Sequence, residues 1–202
     1  MIRCLRVTSL LLLGFWISGC ATTPQAQFYT LNDGSVAVGG SPLAVSLSLG
    51  PIDLPQYLDR PQIVSRGGDS RLNVDEFNRW GGSLDQEIQR VLAAQLGARL
   101  GTDRIYSYPS RIVASTDYRI ALEIYTFDGP LGGELRLDVA WSVIDDRTAD
   151  VIEVGRNDYR SASPRADYEA YASTLSGLLS RLAADLAVAV RAENKNPPRS
   201  DG

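Results

Sequence analysis

Between residues 118 and 143 the chain alternates apolar and polar side chains twice over. Tyr118, Ile120, Leu122 and Ile124 fall on one side of an extended chain. After the turn-forming "DGPLGG", Leu135, Leu137, Val139, Trp141 and Val143 repeat the pattern. A period of two gives each strand one apolar face, and that face must be covered by a second layer. A less regular third run, "VIEVGRNDYRSA", follows "DDRTAD". Short turns of this chemistry join antiparallel neighbours, so the segment reads as an antiparallel sheet with one side covered. A cover lies directly downstream. Tyr168, Tyr171, Leu175, Leu178, Leu179, Leu182, Leu186 and Val190 recur at helical spacing. Ser163 and Pro164 stand before them as an expected N-cap and first helical residue.

The first half repeats this rhythm loosely. "QFYTL" (27–31) reads as a strand, "NDGSVAVGGSP" as a loop, and "LAVSLSLG" (43–50) as a half-buried strand. "PIDLPQYLDRP" contains three prolines and reads as an extended connection. "QIVSRG" and "RLNVDE" flank "GGDS" as a hairpin. Leu84, Ile88, Val91, Leu92, Leu96 and Leu100 then form a second helical stripe. Ser83 and Gln86 have the spacing of a capping box, and Gly101 is placed to end the helix. "RIYSYP" (104–109) reads as a short strand. The expectation is one α+β domain over residues 27–191, with a mainly antiparallel sheet and two amphipathic helices packed on one face. The polar remainder, 192–202, reads as a disordered tail.

The N-terminus has a different character. Arg3 and Arg6 precede an apolar run from Val7 to Ile17. That run suits a signal peptide and is too short to span a bilayer. It ends in Ile17-Ser18-Gly19-Cys20, which resembles the bacterial lipobox. Cleavage after residue 19 would leave Cys20 as the first residue and the sole cysteine, bearing a diacylglycerol and a further acyl chain such as palmitate. Residues 20–26 would be a short lipidated tether. Ala21, where an Asp would resemble an inner-membrane retention signal, favours the periplasmic face of the outer membrane. No run after Cys20 reads as membrane-spanning.

Composition narrows the chemistry. Without Arg3 and Arg6 the net charge is −6, which argues against nucleic acid and against electrostatic adhesion to anionic membranes. The chain has no histidine. The usual general base, zinc ligand and neutral-pH switch are therefore missing. Asp145-Asp146, in "IDDRTAD", reads as a hairpin turn. A Ser–Lys hydrolase would have only Lys195 to draw on. The expectation is a non-enzymatic protein with no metal and no cofactor beyond the lipid on Cys20.

"FYTL" (28–31), "YLDRPQIVSR" (57–66), "NRWGGSLDQEIQRVLAAQLGARL" (78–100) and "YSYP" (106–109) occur in this order behind the lipobox. The combination resembles the PqiC/YmbA family of ABC-type transport auxiliary lipoproteins, also called intermembrane transport lipoproteins. That family carries an N-x-x-x-W-x-x-x-L segment. Here Asn73 or Asn78, Trp80 and Leu84 are the nearest match, with Gly81-Gly82 where a bulkier residue is common. The resemblance implies a fold similar to the N-terminal domain of TolB. It also implies an auxiliary, docking role in a system that moves lipids between membranes, with an MCE-domain protein as partner and often an ABC ATPase and permease.

Two readings of the signature residues stay open. In one, Ile63 packs inward, the arginines are solvated and Trp80 staples the following helix. In the other, Tyr57, Leu58, Asp59, Arg60 and Arg66, with Arg79 and Trp80, form an exposed partner-binding surface. A ring-forming homo-oligomer and a monomer both fit the sequence. The alternative function is a periplasmic carrier holding lipid between sheet and helices, in a cavity lined by residues such as Leu122, Leu137, Trp141 and Leu179.

Overall fold

The computed structural model describes residues 24–34 and 41–195. The signal peptide, Cys20, part of the tether, part of the 32–42 loop and the tail after Lys195 lie outside the described residues.

Among the described residues, eight strands and two helices follow one another: β1 (Gln27–Tyr29), β2 (Leu47–Asp53), β3 (Gln62–Gly68), β4 (Arg71–Trp80), α1 (Leu84–Leu100), β5 (Ile105–Ser107), β6 (Tyr118–Asp128), β7 (Glu134–Asp145), β8 (Val151–Ala162) and α2 (Tyr168–Lys195). They build a five-stranded sheet, β5-β2-β6-β7-β8, and a three-stranded sheet, β1-β4-β3. The architecture is α+β, but the sheets are mixed. β2 runs parallel to both β5 and β6, and β1 runs parallel to β4. The expectation of a mainly antiparallel sheet is corrected here. The β3–β4 hairpin and α1 intervene between β2 and β5, and so long a crossover permits parallel pairing. β6, β7 and β8 form the antiparallel meander that their alternation and turns predict.

Both helices cover one face of the large sheet, α1 over β2 and β5 and α2 over β7 and β8. Both apolar stripes are buried between the layers. α2 is long and apolar enough by composition to cross a membrane. Its Leu175, Leu178, Leu179, Leu182 and Leu186 are instead buried in the protein core. The helix also runs through Lys195, so residues 192–195 of the expected tail are helical.

The helix ends partly follow their signals. Gly101 closes α1 in a left-handed conformation (φ 68°), its N–H donating to Gly97 O. Ser83 precedes α1 but makes no side-chain cap. The first turn is fastened by the Glu87 carboxylate, which accepts from the Leu31 N–H at 3.1 Å. At α2, Asp167 rather than Ser163 caps the helix, accepting from the Ala170 N–H at 2.7 Å. The Ser163 hydroxyl donates to Arg165 O at 2.9 Å. β2 also differs from its expected span. It starts at Leu47 and continues through Pro51 to Asp53, and the 45–50 stretch is buried throughout, the Ser46 hydroxyl donating to Asp117 Oδ2 at 2.7 Å and Ser48 meeting Thr116 at 3.1 Å.

Candidate functional site

The small sheet meets the large assembly through a short stretch of charge and aromatic contacts. The Arg66 N–H of β3 donates to Gly129 O, just past β6, at 2.8 Å. Tyr171 of α2 reaches under the hairpin, and its hydroxyl donates to Val64 O at 2.9 Å. Tyr168, one turn earlier, donates to Asp75 Oδ2 of β4 at 3.0 Å and lies 5.9 Å, ring to ring, from Tyr29 of β1. The first turn of α2 is thus the seat of the small sheet.

The centre of this junction is Asp128, 1% exposed. Arg66 Nε donates to its Oδ1 at 2.6 Å and Arg66 Nη2 to its Oδ2 at 3.1 Å. The Tyr57 hydroxyl donates to the same Oδ2 at 2.5 Å. The two-point guanidinium contact is the strong form of this ion pair. Burial and the Asp128 carboxylate push the Tyr57 phenol well above its ordinary range. The same carboxylate, through its hydrogen bonds, raises the Arg66 guanidinium still further. None of these shifts brings a proton donor or acceptor toward neutral pH, so the triad acts as a clamp between loop, hairpin and sheet.

A cleft of about 480 Å³ opens beside the clamp, lined by Arg66, Asp128, Pro130, Glu134, Arg136 and Arg160 among others. Its cations already have partners. Arg136 Nη2 meets Asp158 at 2.8 Å and Asp138 at 3.0 Å, and Arg160 meets Glu134 at 3.2 Å. Arg156 completes the ladder against Asp138 at 3.0 Å and lies 4.5 Å over the Tyr125 ring. The uncovered face of the large sheet therefore carries self-compensated charge. Among the described residues, no three His, Cys, Asp or Glu side chains gather to hold a metal ion.

The structure divides the sequence-derived surface. Leu58, expected in an exposed loop, is 3% exposed, and Trp80 is 5% exposed. Both belong to the core cluster, which corrects their place in an accessible docking surface. The loop returns to β4 at Pro61, whose O accepts from the Trp80 backbone N–H at 2.8 Å. Tyr57 and Arg66 are brought together, but by Asp128. Asp59 and Arg60 are exposed at the loop tip. Arg79 is half-buried, its Nε donating to Glu76 O at 2.9 Å. Cys20 lies outside the described residues. Gly81 sits tight against β1, where an added Cβ would come within 3.0 Å of the Thr30 side chain, so the departure from a bulkier residue has a local cause.

Sequence reasoning missed Asp128, because "FDGPLGG" reads as turn chemistry alone. It read Asp145-Asp146 as a turn, and Asp145 does accept from the Arg147 N–H at 2.9 Å. Asp146 also reaches across to Thr116 N at 2.9 Å and Arg119 Nε at 3.1 Å, tying the turn to β6. Leu122, Leu137 and Leu179, assigned to a cavity wall under the carrier reading, are core residues with Trp141 packed against them.

A sequence model of the ABC-type transport auxiliary lipoprotein component matches residues 29–187. No curated protein matches the chain. Among solved structures, a Xanthomonas campestris protein of the family DUF330 is similar with a TM-score of 0.68 and 14% identity, covering 80% of this chain and 93% of that one. An uncharacterized protein is similar with a TM-score of 0.66 and 16% identity, covering 83% of this chain and 99% of that one. At these identities the structures speak to the fold, which they share.

Proposed function

We propose a role from one fact: the chain belongs to the family of ABC-type transport auxiliary lipoprotein components. Membership places it in the cell envelope as a membrane-anchored partner of an ABC-type transport system. Our finer reading is that it is the docking component of an MCE-type system moving lipids between inner and outer membranes. It performs no chemistry of its own. Acyl chains on Cys20 hold it to the periplasmic face of the outer membrane, and the folded domain presents a surface to the MCE-domain protein.

The observation that carries this reading is the family match over 29–187 directly behind the lipobox Ile17–Cys20. Each buried CH₂ of an anchor is worth about 0.8 kcal/mol, and two or more chains hold stably. Anchoring confines the search for a periplasmic partner to a layer above one membrane and raises its effective concentration. Asp59 and Arg60, exposed at the loop tip, are accessible to a partner. The carrier alternative gains no support from Leu122, Leu137 and Leu179, which are 2%, 0% and 0% exposed in a packed core.

Anchoring and membrane are tested by separating inner from outer membranes and analysing the N-terminal peptide by mass spectrometry. The expected result is a triacylated Cys20 in the outer-membrane fraction, with the Cys20→Ala variant released or retained as an uncleaved precursor. An unmodified Cys20, or sorting to the inner membrane, would contradict the reading.

A further inference from the structure

Phe28 is 67% exposed on β1, the three-residue edge of the small sheet. Its neighbour Tyr29 has the opposite fate: its hydroxyl donates to Asn78 Oδ1 at 2.9 Å and its ring packs near Tyr168. Alternation thus turns Tyr29, half-buried, toward the domain and Phe28 out. In the sheet register Phe28 stands beside Arg79, and Phe77, also exposed, lies two residues earlier on the same strand. A cleft of about 590 Å³ opens next to Phe28, with Thr30, Asn32, Arg90 and Glu169 in its lining. The result is an aromatic tip with guanidinium groups at its margin.

The covalent chain says what this tip faces. Phe28 is eight residues from Cys20, and at about 3.5 Å per extended residue the two lie within about 28 Å. Pro24 lies within about 14 Å of Cys20 by the same limit. A domain of about 170 residues has a radius of gyration of about 15 Å and is about 40 Å across. A lipid on Cys20 therefore keeps Phe28 within about 28 Å of the bilayer, less than the width of the domain.

We infer that the β1 edge, led by Phe28, rests on the phospholipid surface to which Cys20 tethers the domain. The inference depends on the lipid-anchor reading above. An aromatic ring flanked by long cationic side chains suits the headgroup–acyl boundary, where the ring enters and the guanidinium stays with phosphate. Apolar contact leads here rather than charge, since Arg79 is engaged by Glu76 and the mature chain is acidic.

The test uses the full lipoprotein carrying Phe28→Cys, with Val154→Cys (Val154 is 71% exposed, on β8) as the reference. Cys4 leaves with the signal and Cys20 is blocked by its lipid, so each variant takes one environment-sensitive fluorophore. The proteins are reconstituted in phosphatidylethanolamine–phosphatidylglycerol vesicles containing nitroxide lipids. Flotation and mass spectrometry of Cys20 read the anchor separately. The expected result is blue-shifted emission at position 28, with most of it quenched by the nitroxides, and water-like, unquenched emission at 154. Protein that floats with an acylated Cys20 but shows no quenching at 28 overturns this inference alone. Protein that neither floats nor carries acyl chains overturns both readings. Shielding at 28 that grows with protein density, without nitroxide quenching, assigns the tip to a second copy and likewise overturns it.

Discussion

Arg66 and Asp128 lie 62 residues apart in the chain and meet through two hydrogen bonds, at 2.6 and 3.1 Å, on a carboxylate that solvent barely reaches. Neither is on a short path to the other, and their pairing is what fastens the hairpin to the central sheet. Removing the cation leaves a buried carboxylate supported by Tyr57 alone. Arg66 is one-third exposed, so water recovers part of the loss. Arg66→Met is expected to cost about 2 kcal/mol in urea unfolding. An unchanged midpoint would show the clamp to be energetically idle.

Trp141 covers Gly155. A Cβ on Gly155 would come within 2.3 Å of the indole ring, whose Nε1 donates to Asn157 Oδ1 at 2.7 Å. Gly155→Ala must displace the ring and is expected to cost about 1–3 kcal/mol. Near-ultraviolet circular dichroism should change with it. A variant with native stability and an unaltered indole signal would contradict this packing.

The two halves of the chain were not equally legible. β6, β7 and α2 follow from side-chain period, because each has one covered face and short or capped ends. The parallel pairing of β2 left no such mark, since residues 45–50 are buried throughout, the polar Ser46 and Ser48 included. Leu58 and Trp80 sit among Asp, Arg and Asn in sequence, and these neighbours left a surface reading open beside the one in which Trp80 staples the helix. Tyr57 and Arg66 were singled out, but their common partner Asp128 was hidden in a turn. Ser83 and Gln86 have capping-box spacing without a side-chain cap at Ser83, and the helix start is tied instead to Leu31 through Glu87.

An N-cap serine usually contributes about 1 kcal/mol. Ser83 makes no side-chain cap bond, so Ser83→Ala is expected to change stability by less than about 0.5 kcal/mol. A full capping loss in chemical denaturation would mean that the Ser83 hydroxyl caps α1 in solution.

Stability should fail at the two pH extremes and show no step near neutrality. Burial pushes the Asp145 carboxyl up, but the Arg147 N–H, its side chain and the Thr148 N–H outweigh burial and hold it below the usual range. A carboxyl with a depressed folded pKa contributes stability above its unfolded value, about 3.9, and loses it as pH falls through the folded value. Tyr168 behaves oppositely. Burial and then the bond to Asp75 push it from 10.0 up to about 12. Its contribution is full below pH 10 and disappears as pH rises toward 12. Unfolding against pH should therefore be flat from about 5 to 9, with an acid and an alkaline limb. Late phenolate absorbance should accompany the alkaline limb and shift earlier in Asp75→Asn. A transition between pH 6 and 7 would contradict a chain without histidine.

Docking to an MCE-domain protein is tested most directly by recovery of the partner. The native lipoprotein and its Cys20→Ala variant would each be captured from solubilised envelopes and their companions identified by mass spectrometry. The account predicts an MCE-domain protein with the native chain, and less of it when the anchor is missing. Phospholipid recovered without any MCE-domain protein, from either form, would contradict it.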